Sequence, residues 1–328
     1  MSEPAAHFDL QGTVGIVVPC YNAEKTLPET LQSIAAQPAA CLSRVSTVYL
    51  ADDGSSDATA DVAGAFRIQG VRIELLRNAE NLGQWQTLNK AVEKVLQDGC
   101  RWVLILHADD VAKEGWLSCM LENMGSCPPR VMSLSSSWEQ LMPDGSVVPG
   151  EDDPERALTV IEGSQANVAG TLKKGCWWHI SGCAIRTEVF ESAGRFDATF
   201  PYISDLEWLM RVLHRGWDVG YIARPLILYR QHEGNVSSRS MRESLDVREG
   251  LRLAAKYGGL LTPADLWCWH WRQVKTCLRR VLRSCLRRDL FALRHACIML
   301  GRSWLGMIQV LMLWVPWVRM QHGRHGAP

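Results

Sequence analysis

The feature that most constrains this chain is an alternation that runs through its first 137 residues. Short apolar, β-branched runs are each followed by a stretch of helical periodicity. Residues 13–18 end at Pro19 and read as a buried strand, and 45–51, 71–76 and 102–106 repeat the pattern. Helical patterns fill the gaps at 24–37, where Leu27, Leu31 and Ile34 share a face, at 57–66 and at 84–97. Strands alternating with helices specify a mostly parallel sheet covered on both faces, because each crossover helix must bury its apolar stripe against the sheet. The run at 131–137 continues that sheet. Residues 142–175 are richer in Pro, Gly and Asp and read as a long excursion on the substrate side. Order returns at 180–185, and Leu206, Leu209, Met210 and Leu213 mark a helix over 205–215.

Composition enters through its distribution. Lys+Arg and Asp+Glu both number 35, so net charge points to no nucleic-acid role. The balance hides a split: residues 251–328 hold 13 Lys/Arg against Asp265 and Asp289, and the preceding 250 hold 22 basic and 33 acidic side chains. An acidic body with a basic tail implies two regions with different partners. The N-terminal residues carry no basic run and no long apolar stretch before Val14, unlike a secretory leader. The 11 cysteines are odd in number and form no C-x-x-C pair, which reads as reduced thiols in a cytoplasmic protein. In that compartment the sequon at Asn235 has no meaning for glycosylation.

The acids are placed informatively. Asp52 and Asp53 follow the second strand directly, and Asp109 and Asp110 follow the fourth. In an open α/β sheet ligands gather beyond the carboxyl ends of the strands. Two acid pairs there would repel unless something positive lay between them, and a hard divalent cation bridging carboxylates and phosphate oxygens answers that need. Each pair alone also fits a turn or a helix cap. Neither G-x-G-x-x-G nor a phosphate-binding P-loop is present, which weakens dinucleotide redox and P-loop readings.

With those motifs in view, the chain resembles the family 2 glycosyltransferases. Val17-Val-Pro-Cys-Tyr-Asn-Ala-Glu24, Leu50-Ala-Asp-Asp-Gly-Ser-Ser-Asp57, Asn81-Leu-Gly83 with Asn89, and His107-Ala-Asp-Asp110 look like that family's ordered motifs. Ser181-Gly182, Gly194-Arg-Phe-Asp197, Ser204-Asp-Leu-Glu207 and Tyr229-Arg-Gln-His232 look like its second half. The resemblance covers residues 12–240 and implies a GT-A fold. It implies a catalytic domain over 1–240 and leaves 241–328 as a helical tail.

By resemblance, Pro19, Tyr21 and Glu24 line a nucleoside pocket, with Asp52 and Asp53 near base and ribose. Asp109 takes the metal-binding end of the family's D-x-D motif, where Mg2+ or Mn2+ would hold the donor's diphosphate. His107 stands where the first Asp is expected. An imidazole can bond ribose or phosphate, but it lends no negative charge to a cation. His232 is the candidate third ligand. Asp205 matches the general base of related enzymes, although Ser204-Asp-Leu-Glu207 also fits a capping box. Trp177, Trp178 and His179 read either as a sugar-stacking surface or as core. The Q-x-x-R-W motif of processive members is absent after Asp205, which implies one addition per encounter.

In the tail, residues 272–297 read as one basic amphipathic helix suited to an anionic membrane surface. The apolar run at 303–318 contains Gln309 and Pro316 and is shorter than the roughly 20 residues of a spanning helix. The expectation is therefore a metal-dependent inverting glycosyltransferase on the cytoplasmic membrane face. It would act on a nucleoside-diphosphate sugar and a glycan or polyprenyl-linked acceptor, in surface polysaccharide synthesis and without nucleic acid. The alternatives are a sugar-nucleotide pyrophosphorylase and a non-catalytic membrane-associated scaffold.

Overall fold

The structure is a computed structural model that describes residues 14–153, 158–232 and 236–323, with side chains described for all but 236–239 and 313–323. The N-terminal segment, Asn235 of the sequon and the side chains in the later part of the apolar run at 303–318 lie outside that description. Contacts divide the chain into two units, 1–164 with 177–232, and 165–176 with 233–328.

The first unit begins with β1 (Val14–Cys20), α1 (Leu27–Ala35), α2 (Ala39–Leu42), β2 (Val45–Asp52), α3 (Thr59–Ala65), β3 (Arg72–Arg77), α4 (Gln84–Gln97) and β4 (Trp102–Ile105). It continues with β5 (Val111–Ala112), α5 (Trp116–Ser126), β6 (Val131–Leu141), β7 (Val147–Val148) and β8 (Thr159–Ile161). The second unit inserts α6 (Gln165–Lys174), after which β9 (Ala184–Arg186), α7 (Val189–Ser192), α8 (Ser204–His214) and β10 (Asp218–Arg230) complete the first.

The sheet runs β3-β2-β1-β4-β9-β6-β10-β5. Its first four strands are parallel, as the alternation requires. β1 and β4 are central and almost wholly buried, whereas β3 lies at the edge and carries Arg72 and Arg77. Charge on an edge strand discourages pairing with another chain. The sheet is mixed beyond β4. β9 runs antiparallel to both β4 and β6, so the strand at 131–141 continues the sheet one place removed from where the alternation puts it. Hydrophobic pattern cannot reveal such an insertion, because β9 contributes only three residues. The excursion at 142–175 is likewise more ordered than expected: β8 pairs antiparallel with β10, and α6 joins the second unit.

The chain turns back after β3, so that β4 lies on the opposite side of β1 from β2. That reversal makes the carboxyl ends of β1 and β4 a topological switch point, where two loops leave in opposite directions and open a crevice.

The second unit comprises α6, α9 (Val236–Glu243), α10 (Leu245–Tyr257), a 3-10 turn (Gly258–Leu260), α11 (Pro263–Arg287) and α12 (Leu290–Gly323). Thr262 caps α11 by accepting from the Asp265 N–H. The single helix expected over 272–297 is broken. Arg288 adopts a left-handed conformation, and Asp289 opens α12 by accepting from the Ala292 N–H. Trp269, Val274 and Cys277 form the buried face of α11, while Leu278, Leu282 and Leu286 remain exposed among arginines. Among the described residues no helix is long and apolar enough to cross a membrane.

One local expectation is overturned at α8. Its N-cap is Ile203, and no side chain caps the helix. The Ser204 hydroxyl is buried without a hydrogen-bond partner, and Glu207, 1% exposed, pairs with Arg211 at 2.8 Å. The capping box fails because Arg211 outcompetes a backbone N–H for the Glu207 carboxylate. Replacing a true Ser cap with Ala costs about 1 kcal/mol. Here Ser204→Ala is expected to leave the urea midpoint unchanged or raise it. Glu207→Ala, which strands the Arg211 charge, is expected to destabilise by about 3–5 kcal/mol. A Ser204→Ala loss equal to a cap would restore the capping box.

Candidate functional site

The loops at the switch point are laced together by their own side chains. After β1 the chain turns through Asn22, which takes a positive φ of 47°. The Asn22 and Ala23 N–H groups donate to Ser55 Oγ and Thr59 Oγ1 at 2.9 and 2.7 Å. Glu24 Oε2 accepts from the Ala58 N–H at 3.0 Å, so this carboxylate sits at the start of α3. Pro19 is the penultimate residue of β1, and Tyr21, 50% exposed, stands at the rim.

Asp52 and Asp53 are both buried; the chain satisfies Asp53, while Asp52 Oδ2 has no hydrogen-bond partner and faces only the Arg77 guanidinium. Asp52 Oδ1 accepts from the Ser55 N–H and hydroxyl, and the Arg77 guanidinium lies 3.2 Å from Oδ2. Asp53 Oδ1 accepts from Asn78 Nδ2, the Leu82 N–H and Thr87 Oγ1, and Oδ2 accepts from the Gly83 N–H at 2.9 Å. Asp53 thereby ties the loop 78–83 to the first turn of α4. Donors from the chain itself, rather than a cation, offset the charge of this pair, and the turn-and-cap role is the one the geometry shows.

The second pair is built differently. Beyond β4, the His107 N–H donates to Ser181 Oγ at 3.0 Å, and the Asp110 N–H closes a turn onto the His107 carbonyl. Gly182 makes this approach possible. At φ +86° its missing Cβ would lie 2.3 Å from Ile227 Cγ1, so only glycine lets the Ser181 turn pass beneath β10. β10 then pins the other side. The Arg230 N–H donates to Asp110 Oδ1 at 3.1 Å, its Nε donates to the Asp109 carbonyl at 2.8 Å, and its guanidinium pairs with Glu29 of α1. Thr30 Oγ1 donates to the Asp110 carbonyl at 2.7 Å.

Within this frame, one ligand atom from each of His107, Asp109 and Asp110 lies within 4.8 Å of the others. His232 Nε2 is 3.1 Å from Asp109 Oδ2, and Gln84 Nε2 is 3.4 Å from His107 Nε2. Burial and then the neighbouring Asp109 charge push Asp110 well above the usual carboxylate range. Burial also raises Asp109, but the His232 hydrogen bond and the two imidazoles bring it below its ordinary value. Burial lowers His107, which keeps a neutral imidazole with a lone pair to offer. Asp110 is fully buried, and its Oδ2 has no hydrogen-bond partner. A buried carboxylate oxygen without a donor, beside a second carboxylate and an imidazole, fits a divalent cation.

Asp205 lies in the first turn of α8, where its Oδ1 accepts from the Leu206 N–H at 2.8 Å. Its charge adds to the burial that raises the Cys183 thiol. Trp85 Nε1 donates to the Pro201 carbonyl at 3.0 Å, which ties the start of α4 to the approach to α8. His107, Asp109 and Asp110 are brought together, and the Trp85 bond links the α4 to which Asp53 is tied with the approach to the helix that carries Asp205.

The aromatic residues divide. Trp178 is core: it is 1% exposed, donates to Ser133 Oγ at 3.0 Å and packs against Trp208. Trp177 and His179 are half-buried. The His179 ring stacks on Trp138 at 4.7 Å and meets Tyr229 edge-on at 5.2 Å. Burial lowers its pKa to about 4, so it is neutral at pH 7. Sequence reasoning gave no role to Ser181, Gln84, Arg230 or Trp138. Arg230 had a signal, since it lies two residues before His232 in a block already singled out. Gln84 and Trp138 had none, because their relevance comes from packing.

Comparison with known proteins agrees with this arrangement. Residues 15–136 match the family described as Glycosyl transferase family 2. Over 111 residues the chain is 26% identical to Glycosyltransferase GlyG of Streptococcus pneumoniae serotype 4, a match covering 34% of this chain and only 35% of that protein. The structure of S. aureus TarS 1-349 in complex with UDP-GlcNAc superposes with a TM-score of 0.51 at 16% identity, over 86% of this chain and 90% of that one. Mannosyltransferase PcManGT from Pyrobaculum calidifontis, in complex with GDP-Man and Mn2+, gives 0.53 at 16%, over 94% and 80%. At such identity the likeness to solved structures is one of fold. Residues 15–136 thus match glycosyltransferase family 2 within a chain of the GT-A fold, and the match spans about a third of the length of the curated relative.

Proposed function

We propose that the chain moves one sugar from a nucleoside-diphosphate sugar to a glycan or lipid-linked acceptor, with inversion at the anomeric carbon, in surface polysaccharide synthesis. The observation that carries this reading is the His107, Asp109 and Asp110 cluster at the carboxyl end of β4, with its unpartnered Asp110 oxygen. TarS and the mannosyltransferase PcManGT were solved with UDP-GlcNAc and with GDP-Man and Mn2+, which supports a donor of the same chemical class.

Asp109 with His232, joined by His107 and Asp110, would hold a Mg2+ or Mn2+ ion. Bound there, the ion supplies positive charge opposite the leaving diphosphate as the sugar–phosphate bond breaks. Pro19 and Tyr21 border the nucleoside side of the crevice. Glu24, Asp52 and Asp53 shape that side by holding its loops. Asp205 takes the proton from the acceptor hydroxyl as its oxygen bonds to the anomeric carbon, and the nucleoside diphosphate leaves with the electron pair of the broken bond. The half-buried Trp138, His179 and Tyr229 rings offer apolar faces on which a sugar can stack. Peripheral attachment to the cytoplasmic membrane surface is part of the same reading. It is supported by Leu278, Leu282, Leu286, Leu290 and Phe291, all exposed beside Arg279, Arg283 and Arg287.

A panel of nucleotide sugars with Mn2+ is expected to show slow donor hydrolysis that releases a nucleoside diphosphate. Pyrophosphate as the product would make the chain a pyrophosphorylase, and failure to bind any nucleotide would make it a scaffold. Asp205→Asn is expected to bind donor normally and to turn over at least about a hundredfold more slowly; near-normal turnover would remove it from the chemistry. Asp53→Asn separates holding a loop from touching the donor. Loss of a charged acceptor shared by four donors is expected to cost about 1–3 kcal/mol in urea unfolding. An unchanged midpoint with weakened donor binding would instead assign Asp53 to the donor.

A further inference from the structure

Residues 193–203, which form neither helix nor strand, lead into α8 and so determine where Asp205 stands. Two helices hold their backbone. From α8, Trp208 Nε1 donates to the Gly194 carbonyl at 3.1 Å, and the Arg211 guanidinium donates to the carbonyls of Ala193 and Arg195. These bonds fasten the stretch to the helix it leads into and fix nothing outside it.

The ties to the rest of the site come from α4. Asn89 Nδ2 donates to the Phe196 carbonyl at 2.8 Å, and Asn89 Oδ1 accepts from the Phe196 N–H at 3.0 Å. Trp85 Nε1 donates to the Pro201 carbonyl, and the Trp85 and Phe196 ring centroids are 5.4 Å apart. The same helix reaches the donor side and the acid cluster. Thr87 Oγ1 donates to Asp53 Oδ1 at 2.6 Å, and Gln84 Nε2 lies 3.4 Å from His107 Nε2. Residues 84, 85, 87 and 89 occupy the first two turns of α4, so the helix's regular rise fixes the spacing of all these contacts.

The Asn89 fork does more than keep the stretch folded. Phe196 is 3% exposed and packs against Phe190 and Trp208 as well as Trp85, which anchors it in the core without Asn89. An amide that donates to a residue's carbonyl and accepts from its N–H adds direction, as one rung of a β-ladder does. Direction matters at a base, because a displacement of about 1 Å costs on the order of a hundredfold in rate.

We propose that Asn89 is a positioning residue for sugar transfer: with Trp85 it holds residues 196–201 against α4 and thereby sets where Asp205 stands relative to His107, Asp109 and Asp110. The proposal rests on the reading of Asp205 as the base.

The test follows nucleoside diphosphate released from the nucleotide sugar hydrolysed fastest in the panel, with Mn2+ and with water in place of the acceptor. Asn89→Ala is expected to lower kcat about tenfold and to leave donor KM and Mn2+ affinity, read from the EPR signal of the free ion, within about twofold. Trp85→Phe keeps the ring and removes only the bond to Pro201, and is expected to lower kcat about threefold on the same terms. Each is then combined with Asp205→Asn. A residue that acts through Asp205 has nothing left to position there, so each double variant should turn over within about twofold of Asp205→Asn alone, whereas general loosening would multiply the losses. Urea midpoints establish that every variant is folded under assay conditions, and Trp85→Phe carries the test if Asn89→Ala is not. Unchanged kcat, a loss shared with donor KM or Mn2+ affinity, or multiplied losses in the double variants would overturn the proposal and leave Asp205 in its role. Near-normal turnover by Asp205→Asn alone would remove the base, and the proposal with it.

Discussion

Two carboxylates forced together at the end of a buried strand are the constraint around which the first unit is arranged. Asp109 and Asp110 lie within reach of one another and of His107, in a turn that β4 cannot hold by itself. Arg230 holds it from β10, Thr30 and Glu29 from α1, and Ser181 from the turn before β9. Three elements distant in sequence thus spend hydrogen bonds on four residues. Like charges at this distance raise one another's pKa, and the structure shows the outcome: Asp110 is pushed towards its neutral form, while Asp109 stays charged beside His232. A site of this kind is poised for a cation.

The contrast with Asp52 and Asp53 is instructive. Both pairs follow parallel strands at one edge of one sheet, and electrostatics alone treats them alike. Asp53 nevertheless receives four donors from the loop 78–83 and α4, while Asp110 retains an oxygen without a hydrogen-bond partner. What separates them is the set of donors that folding delivers. The first pair becomes a fastener between two loops, and the second remains available to a ligand.

The second unit shows the same economy in a different medium. Its α11 and α12 bury one face each and leave Leu278, Leu282 and Leu286 outside, interleaved with arginines, where a monomeric soluble surface would show fewer large apolar groups. Within that unit the His270 ring packs directly against Gly306, where no larger residue would fit. Exposed apolar surface and basic charge belong to one helical group.

Much of the first unit was legible in the sequence. Period-2 and period-3.6 hydrophobic patterns determined β1 to β4 and the helices between them. The helix expected over 84–97 coincides with α4, because long amphipathic stretches are local statements about which face is buried. The acid pairs at strand ends, and the motifs they belong to, were sufficient to name the family. The sequence could not show that β9 enters between β4 and β6 against their direction, that Arg211 takes Glu207 away from a cap, or that Arg288 breaks the tail helix. Nor could it show that Arg77 would lie beside the unbonded oxygen of Asp52 while that of Asp110 lies beside Asp109 and His107. Each of those outcomes is a competition between a local preference and a partner arriving from far along the chain, and only the closed tertiary structure brings the competitors together.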